Sequence, residues 1–308
     1  MAHYVPHTEE DFARMLADLG LSSPDELFRS VPAALRLARG VDLPEGMAEA
    51  DVGAEMSRLA AGNRAGGELT CFAGGGAYDH DIPAVTRALA GRSEFVTSYT
   101  PYQAEVAQGV LQALFEYQTL VSRLAGLPVA NASVYDGATA VVEAVNLAVA
   151  ASGRQSVWVS AGLNPRWRQV LATLTTGRQV ELADVPLVDG VTDWASVPAG
   201  PPPAALVAPS PNYLGCIDPA RAAKAAASKA GALLISVFDP VAAGLLLTPG
   251  EQGADVAVAE GQPLGTPLAF GGPYLGMFAV ASEHVRRLPG RLVGRTVDSH
   301  GRTAYVST

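Results

Sequence analysis

A chain of 308 residues, 49% hydrophobic and only 17% charged, folds around a sizeable core, because a disordered chain is poor in apolar groups and rich in charge. With 21 Lys and Arg against 30 Asp and Glu, the net charge of −9 repels a phosphate backbone or an anionic membrane surface, so neither nucleic acid nor membrane is expected as a partner. Cys71 and Cys216 form neither a close pair nor a disulfide framework, and are expected as two buried thiols in a reducing cytoplasm.

The N-terminus MAHYVPHTEEDFARML lacks a basic region followed by an apolar stretch, so no secretory signal is expected. Thr8 followed three residues later by Asp11 makes a loose capping box, and Phe12, Met15, Leu16 and Leu19 then recur at helical spacing until Gly20. A second short helix is predicted after Ser23, with Pro24 at its first position and Leu27, Phe28 and Val31 on one face. A third spans residues 47–63 and ends at Asn63 and the Gly66-Gly67 pair. Residues 1–66 therefore read as a helical arm without chemistry of its own, and residues 67–308 as the main domain.

Residues 72–108 are rich in loop signals. FAGGGAYDHD sets three glycines before Tyr78, Asp79, His80 and Asp81, and SYTPYQAEVAQG gathers Tyr99, Thr100, Tyr102 and Gln103 around Pro101. Glycine permits close backbone approach, and tyrosine offers a flat apolar face with a hydroxyl that can read a polar group, so the segment reads as a site. The plainer reading of either motif is a turn packed on its own domain.

A long helix follows Gln108, with Val110, Leu111, Leu114, Phe115, Leu120, Val121 and Leu124 keeping one side apolar as far as Gly126. In ANASVYDGATAVVEAVNLAVAA the turn Asp136-Gly137 opens directly into a helix with Thr139 in its first turn. Such an N-terminus can cradle a phosphate or carboxylate, although Asp136 can equally cap the helix and fill that place itself. From Ser156 onward the runs SVWVSA, QVELADV, AALVAPS, ALLISVF, DVAVAE and LGMFAVAS alternate with helical stretches at residues 165–175 and 219–230. This is the pattern of an α/β fold with a mainly parallel sheet between helices. Residues 198–203, with three consecutive prolines, read as a stiff surface loop within that domain. The apolar stretch 230–247 is broken by Asp239 and Pro240, and reads as a buried strand, a loop and more core rather than a membrane span.

Several chemistries can be set aside. The five histidines, His3, His7, His80, His284 and His300, include no HExxH, and no close cysteine pair exists, so no metal site is expected. Asp79-His80-Asp81 reads better as a hydrogen-bonded loop histidine than as a ligand set. There is no GxSxG elbow and no GxxxxGK[ST] loop, which removes serine hydrolase and P-loop readings. Lysine is the informative residue. The chain has only Lys224 and Lys229, both in the helical stretch PARAAKAAASKAGALL, where an ammonium normally reaches out to solvent. Enzymes that use pyridoxal phosphate anchor it through a lysine set in a shaped pocket. The helix after DGAT could hold a phosphate, and Asp239 at the end of ALLISVF stands where a carboxylate could pair with a pyridinium nitrogen, but the lysine is missing.

The segments YVPHTEEDFARMLADLGLSSPDELF, FAGGGAYDHDIPAV, SYTPYQAEVAQG, LFEYQT, ANASVYDGATAVVEA, PNYLGCIDP, GADVAVAEGQPLGTPLAFGGPYLGMFA and LPGRLVGRTVD closely resemble the P-protein family of the glycine cleavage system, in its split form. They extend over essentially the whole chain. The resemblance implies a fold-type I pyridoxal phosphate-dependent transferase-like large domain after the helical arm. It also implies an oxidoreductase subunit, glycine dehydrogenase (aminomethyl-transferring), that is inactive alone. Where the catalytic half has its lysine turn, this chain has Glu260-Gly261-Gln262-Pro263-Leu264-Gly265.

By the same resemblance, glycine dehydrogenase subunit 2 binds pyridoxal 5'-phosphate covalently, glycine is the substrate, and the lipoyl H-protein receives the aminomethyl group. Tyr99, Thr100, Tyr102 and Gln103, with Tyr78 and His80 behind them, are then expected to contribute to the partner's pocket. Asp136, Gly137, Thr139 and Asp239 are expected as remnants of a degenerate cofactor site, and no residue of this chain alone is expected to be catalytic. Members of the family continue into a smaller C-terminal domain, whereas this sequence ends at GRTAYVST, so altered assembly or weak solubility is expected. Two other readings are a self-sufficient enzyme using Lys224 or Lys229, and a catalytically silent scaffold or regulatory pseudo-enzyme.

Overall fold

The computed structural model describes residues 6–37, 39–64, 66–70, 72–97 and 99–307, so Cys71 lies outside the described residues. The chain divides into two compact units, residues 1–71 and 72–308. Gly66 and Gly67 begin a 3₁₀ turn, Gly66–Glu68.

The first unit is helical. α1 (Glu9–Asp18) starts at the expected capping box: Thr8 accepts from the Asp11 N–H, and the Asp11 carboxylate accepts from the Thr8 N–H. The segment after Ser23 is a 3₁₀ helix, Pro24–Phe28, instead of an α-helix. Ser23 makes no side-chain cap there, and the run is too short for α-helical hydrogen bonds to accumulate. α2 (Glu49–Ala60) occupies most of the predicted third helix.

The second unit begins with α3 (Ala84–Ala90), α4 (Ser93–Val96) and the long α5 (Gln108–Ala125), which stops where Gly126 adopts φ 65°, a left-handed conformation natural to glycine. Next come β1 (Val129–Ala130), α6 (Gly137–Ser152), β2 (Ser156–Ser160), α7 (Pro165–Thr175) and β3 (Glu181–Val185). A two-stranded ribbon, β4 (Leu187–Val188) and β5 (Val191–Thr192), precedes β6 (Ala205–Ser210), α8 (Ala220–Ala230), β7 (Leu233–Phe238), β8 (Val256–Glu260) and β9 (Gly276–Val280). The chain closes with a hairpin, β10 (Val293–Val297) and β11 (Thr303–Ser307).

Seven strands form one sheet in the order β1-β9-β8-β7-β6-β2-β3. The five from β3 to β8 run parallel, while β9 runs antiparallel to both β8 and β1. Alternate residues of each strand point to opposite faces. Val207, Ile235, Val256, Val258 and Phe278 pack with α6 and α7 on one face. Ala257, Ala259, Met277 and Ala279 meet α5 on the other, as do Leu206 and Leu234 with α8. The small residues Ala138, Ala140, Ala144 and Ala148 are all buried on α6 and let it lie close to the sheet. Among the described residues no helix is long and apolar enough to cross a membrane.

The apolar stretch 230–247 divides. Leu233–Phe238 is the buried central strand, but Leu245 and Leu247 are exposed, contrary to the expected return to the core. After Asp239 the chain leaves the sheet through a 3₁₀ turn at Ala242–Gly244, and among the described residues no element covers those leucines. Cys216 is half-buried, not buried, because it sits on the loop after β6.

Candidate functional site

Parallel strands that all point the same way leave their carboxyl ends around a common crevice, and side chains at those ends face one another there. In this protein the ends of β6, β7 and β8 open onto a cavity of about 320 Å³. Asp239, just past the end of β7, and Glu260, the last residue of β8, face into it, and Asn164, Trp167, Asn212 and Tyr213 complete much of the wall. Tyr78 and His80 line the same cavity, and a ring nitrogen of His80 lies 2.9 Å from the Tyr78 carbonyl oxygen. His80 is thus the hydrogen-bonded loop histidine expected from sequence.

The N-terminus of α6 lies against Glu260. Asp136 caps the helix: its Oδ1 accepts from the Thr139 N–H at 2.7 Å, and the Thr139 hydroxyl accepts from the Asp136 N–H at 3.0 Å. The next free donor, the Gly137 N–H, is met by Glu260 Oε2 at 3.0 Å. Glu260 Oε1 accepts from the N–H groups of Gln262 and Leu275, each at 3.0 Å. Gly137 is required at this position: a Cβ there would lie 2.3 Å from the Trp167 ring and 3.1 Å from Glu260 Cβ. A side chain tethered 123 residues away thus supplies the negative charge that a helix N-terminus attracts.

These residues do not fit pyridoxal phosphate. A phosphate at α6 would face the Glu260 carboxylate already bonded to the Gly137 N–H, and no lysine lines the cavity. Lys224 lies on α8 with its Nζ 3.8 Å from Asp255, at the opposite end of β8 from Glu260, and Lys229 is exposed on the same helix. Asp239 uses Oδ1 to accept from the Val241 and Ala242 N–H groups and so organises its own turn. The reading of a self-sufficient enzyme built on either lysine finds no geometric support.

Burial pushes the Glu260 carboxyl above its ordinary value, with the charge of Asp136 adding to the rise and the three N–H donors opposing it. The folded protein therefore holds a proton on Glu260 more tightly than the unfolded chain. The stability that this proton confers is complete below the ordinary carboxyl value of 4.5 and is lost as pH rises through the higher folded value. In urea titrations between about pH 4 and pH 8, the midpoint of wild type is expected to fall relative to that of Glu260→Gln as pH rises. Parallel pH curves would show that the carboxyl is not the group responsible.

The structure separates the other expected residues from this cavity. Tyr99 and Tyr102 are 92% and 82% exposed, Gln103 is exposed, and none of the four from Tyr99 to Gln103 lines it. Thr100 is anchored instead by Arg291, whose guanidinium donates to its hydroxyl at 2.7 Å. Sequence reasoning missed Trp167, Asn164 and Asn212 as wall residues, and treated Glu260 as part of a turn rather than as the partner of Gly137. The only signal was an acidic residue in EGQPLG at the place where the resemblance expects a lysine turn.

A family model described as glycine cleavage system P-protein matches residues 2–308. The chain is 51% identical over 307 residues to the probable glycine dehydrogenase (decarboxylating) subunit 1 of Moorella thermoacetica, covering 99% of this chain and 68% of that protein. The equivalent protein of Prosthecochloris aestuarii is 46% identical over 308 residues, covering 99% and 69%. A crystal structure of glycine decarboxylase (P-protein) of the glycine cleavage system, in inhibitor-bound form, superposes with a TM-score of 0.89 at 46% identity. It covers all of this chain and 69% of that one.

Proposed function

The chain belongs to the P-protein family of the glycine cleavage system, and from that premise we propose that it is the first subunit of a split glycine dehydrogenase (decarboxylating), acting only with a lysine-bearing second subunit. The observation that carries this reading is the closed N-terminus of α6. Glu260 already accepts from the Gly137 N–H that a cofactor phosphate would use, and the cavity offers no lysine amine. The pyridoxal phosphate belongs, in this reading, to the second subunit, where it supplies the electron sink for loss of carbon dioxide from glycine. The lipoyl H-protein takes the aminomethyl group, and the complex works in the cytoplasm.

This chain's contribution is Tyr99, Thr100, Tyr102 and Gln103. Two tyrosines with nearly their whole side chains in solvent suit an interface better than a free surface, since tyrosine combines apolar area with a hydroxyl. Arg291 holds Thr100 and so fixes where the segment stands. Tyr78 and His80 reach the chain's own cavity and support the loop behind it.

Co-expression with the second subunit tests the proposal. The pair is expected to exchange labelled carbon dioxide into glycine when the H-protein is supplied, whereas this chain alone is expected to be colourless with pyridoxal phosphate and inactive. A yellow chain, bleached by borohydride, would overturn the assignment of the cofactor to the partner. Complex formation with no dependence of exchange on this chain would favour the silent scaffold.

A further inference from the structure

At the amino-terminal end of β8, opposite the cavity, Asp255, Glu283 and His284 come together, and one potential ligand atom from each lies within 4.8 Å of the others. His284 is only 8% exposed, yet neither of its ring nitrogens has a hydrogen-bond partner. An imidazole sealed from solvent ordinarily donates through one nitrogen and accepts through the other, so two idle nitrogens beside two carboxylates form an incomplete set. Each member is positioned by the fold. Asp255 Oδ2 accepts from the Leu234 N–H at 2.7 Å, the Ala281 N–H donates to the Asp255 carbonyl, and the His284 N–H donates to the Ala281 carbonyl. Glu283 lies on the exposed side of the same 3₁₀ turn, Ser282–Arg287.

We propose that Asp255, Glu283 and His284 bind a divalent transition-metal ion, with zinc as the best match. One imidazole and two carboxylates are a donor set that zinc accepts, and water from the Glu283 side would complete four-coordination. Bonds of about 2.0–2.2 Å place tetrahedral ligand atoms roughly 3.4 Å apart, so the set must draw together on binding. The exposed Glu283 side chain has the freedom to close that distance. Lys224, 3.8 Å from Asp255 Oδ2, competes as a tethered cation and must swing away. An ion here ties the turn after β9 to the base of β8. The sequence offered no hint of this site, because Glu283 and His284 are adjacent residues with no recognisable ligand motif and Asp255 is distant along the chain.

Calorimetric titration of the untagged full chain with zinc chloride tests the site, with cobalt chloride as a spectroscopic probe. One ion per chain is expected, with a raised melting temperature and visible cobalt bands of four-coordinate intensity. Glu283→Gln should weaken zinc binding about tenfold or more, His284→Phe should abolish it, and Lys224→Met should tighten it. Glu283 is exposed and outside the core, so its variant decides the matter if His284→Phe fails to fold. Absence of zinc uptake at sub-millimolar metal overturns the proposal. So does uptake whose affinity Glu283→Gln leaves unchanged, or which Lys224→Met weakens.

Discussion

Asp218→Ala is expected to lower the unfolding free energy by about 3 kcal/mol, read as a lower urea midpoint with unchanged slope. Asp218 is buried after β6 and never meets a counter-charge in its network. Its oxygens are satisfied instead by dipoles: the Thr192 N–H and hydroxyl on one, and the Asn212 amide at 2.8 Å on the other. Thr192 in turn shares a 2.6 Å hydrogen bond with Ser160, while Asn212 Oδ1 receives the Leu214 and Cys216 N–H groups. Removing the carboxylate leaves buried donors unpaired, and hydrogen bonds to a charged group contribute roughly 1.5–3 kcal/mol each, with incomplete additivity. Asn212 and Tyr213 form part of the cavity wall, so the same substitution should loosen that wall. A loss below about 1 kcal/mol would mean that the network does not hold the loop.

Tyr99→Phe and Tyr102→Phe are each expected to reduce glycine exchange by the reconstituted pair about 10- to 100-fold, the range for one hydrogen bond to a charged group. Removing only the hydroxyl keeps the ring and its contact area, so assembly measured by size-exclusion chromatography should persist. Both hydroxyls are open to a partner in this chain, and the neighbouring Thr100 is held by Arg291. Unchanged exchange with intact assembly would reduce the tyrosines to interface surface and remove the proposed contribution to the pocket.

Local signals were legible in the sequence because they act over a few residues. The Thr8 cap, the Asp136 cap with Thr139 and the Gly126 stop of α5 all lie within one turn of the residues they affect. The alternation of Val-rich runs and helices from Ser156 likewise gave the parallel sheet, since each period reports its own burial. What escaped was long-range. Glu260 meets Gly137 from 123 residues away, Trp167 covers the same glycine from α7, and His284 meets Asp255 only because β8 and β9 are neighbours. No spacing in the chain encodes those meetings. The exposure of Leu245 and Leu247 was hidden for a related reason: apolarity alone does not say whether the covering surface belongs to this chain.

The carboxylate of Glu260 makes the start of α6 self-sufficient in charge. A helix end that would otherwise attract a diffusing anion carries its own, so the first turn of α6 is completed from within the chain. An anion from solution would have to displace a side chain that already accepts from three backbone N–H groups.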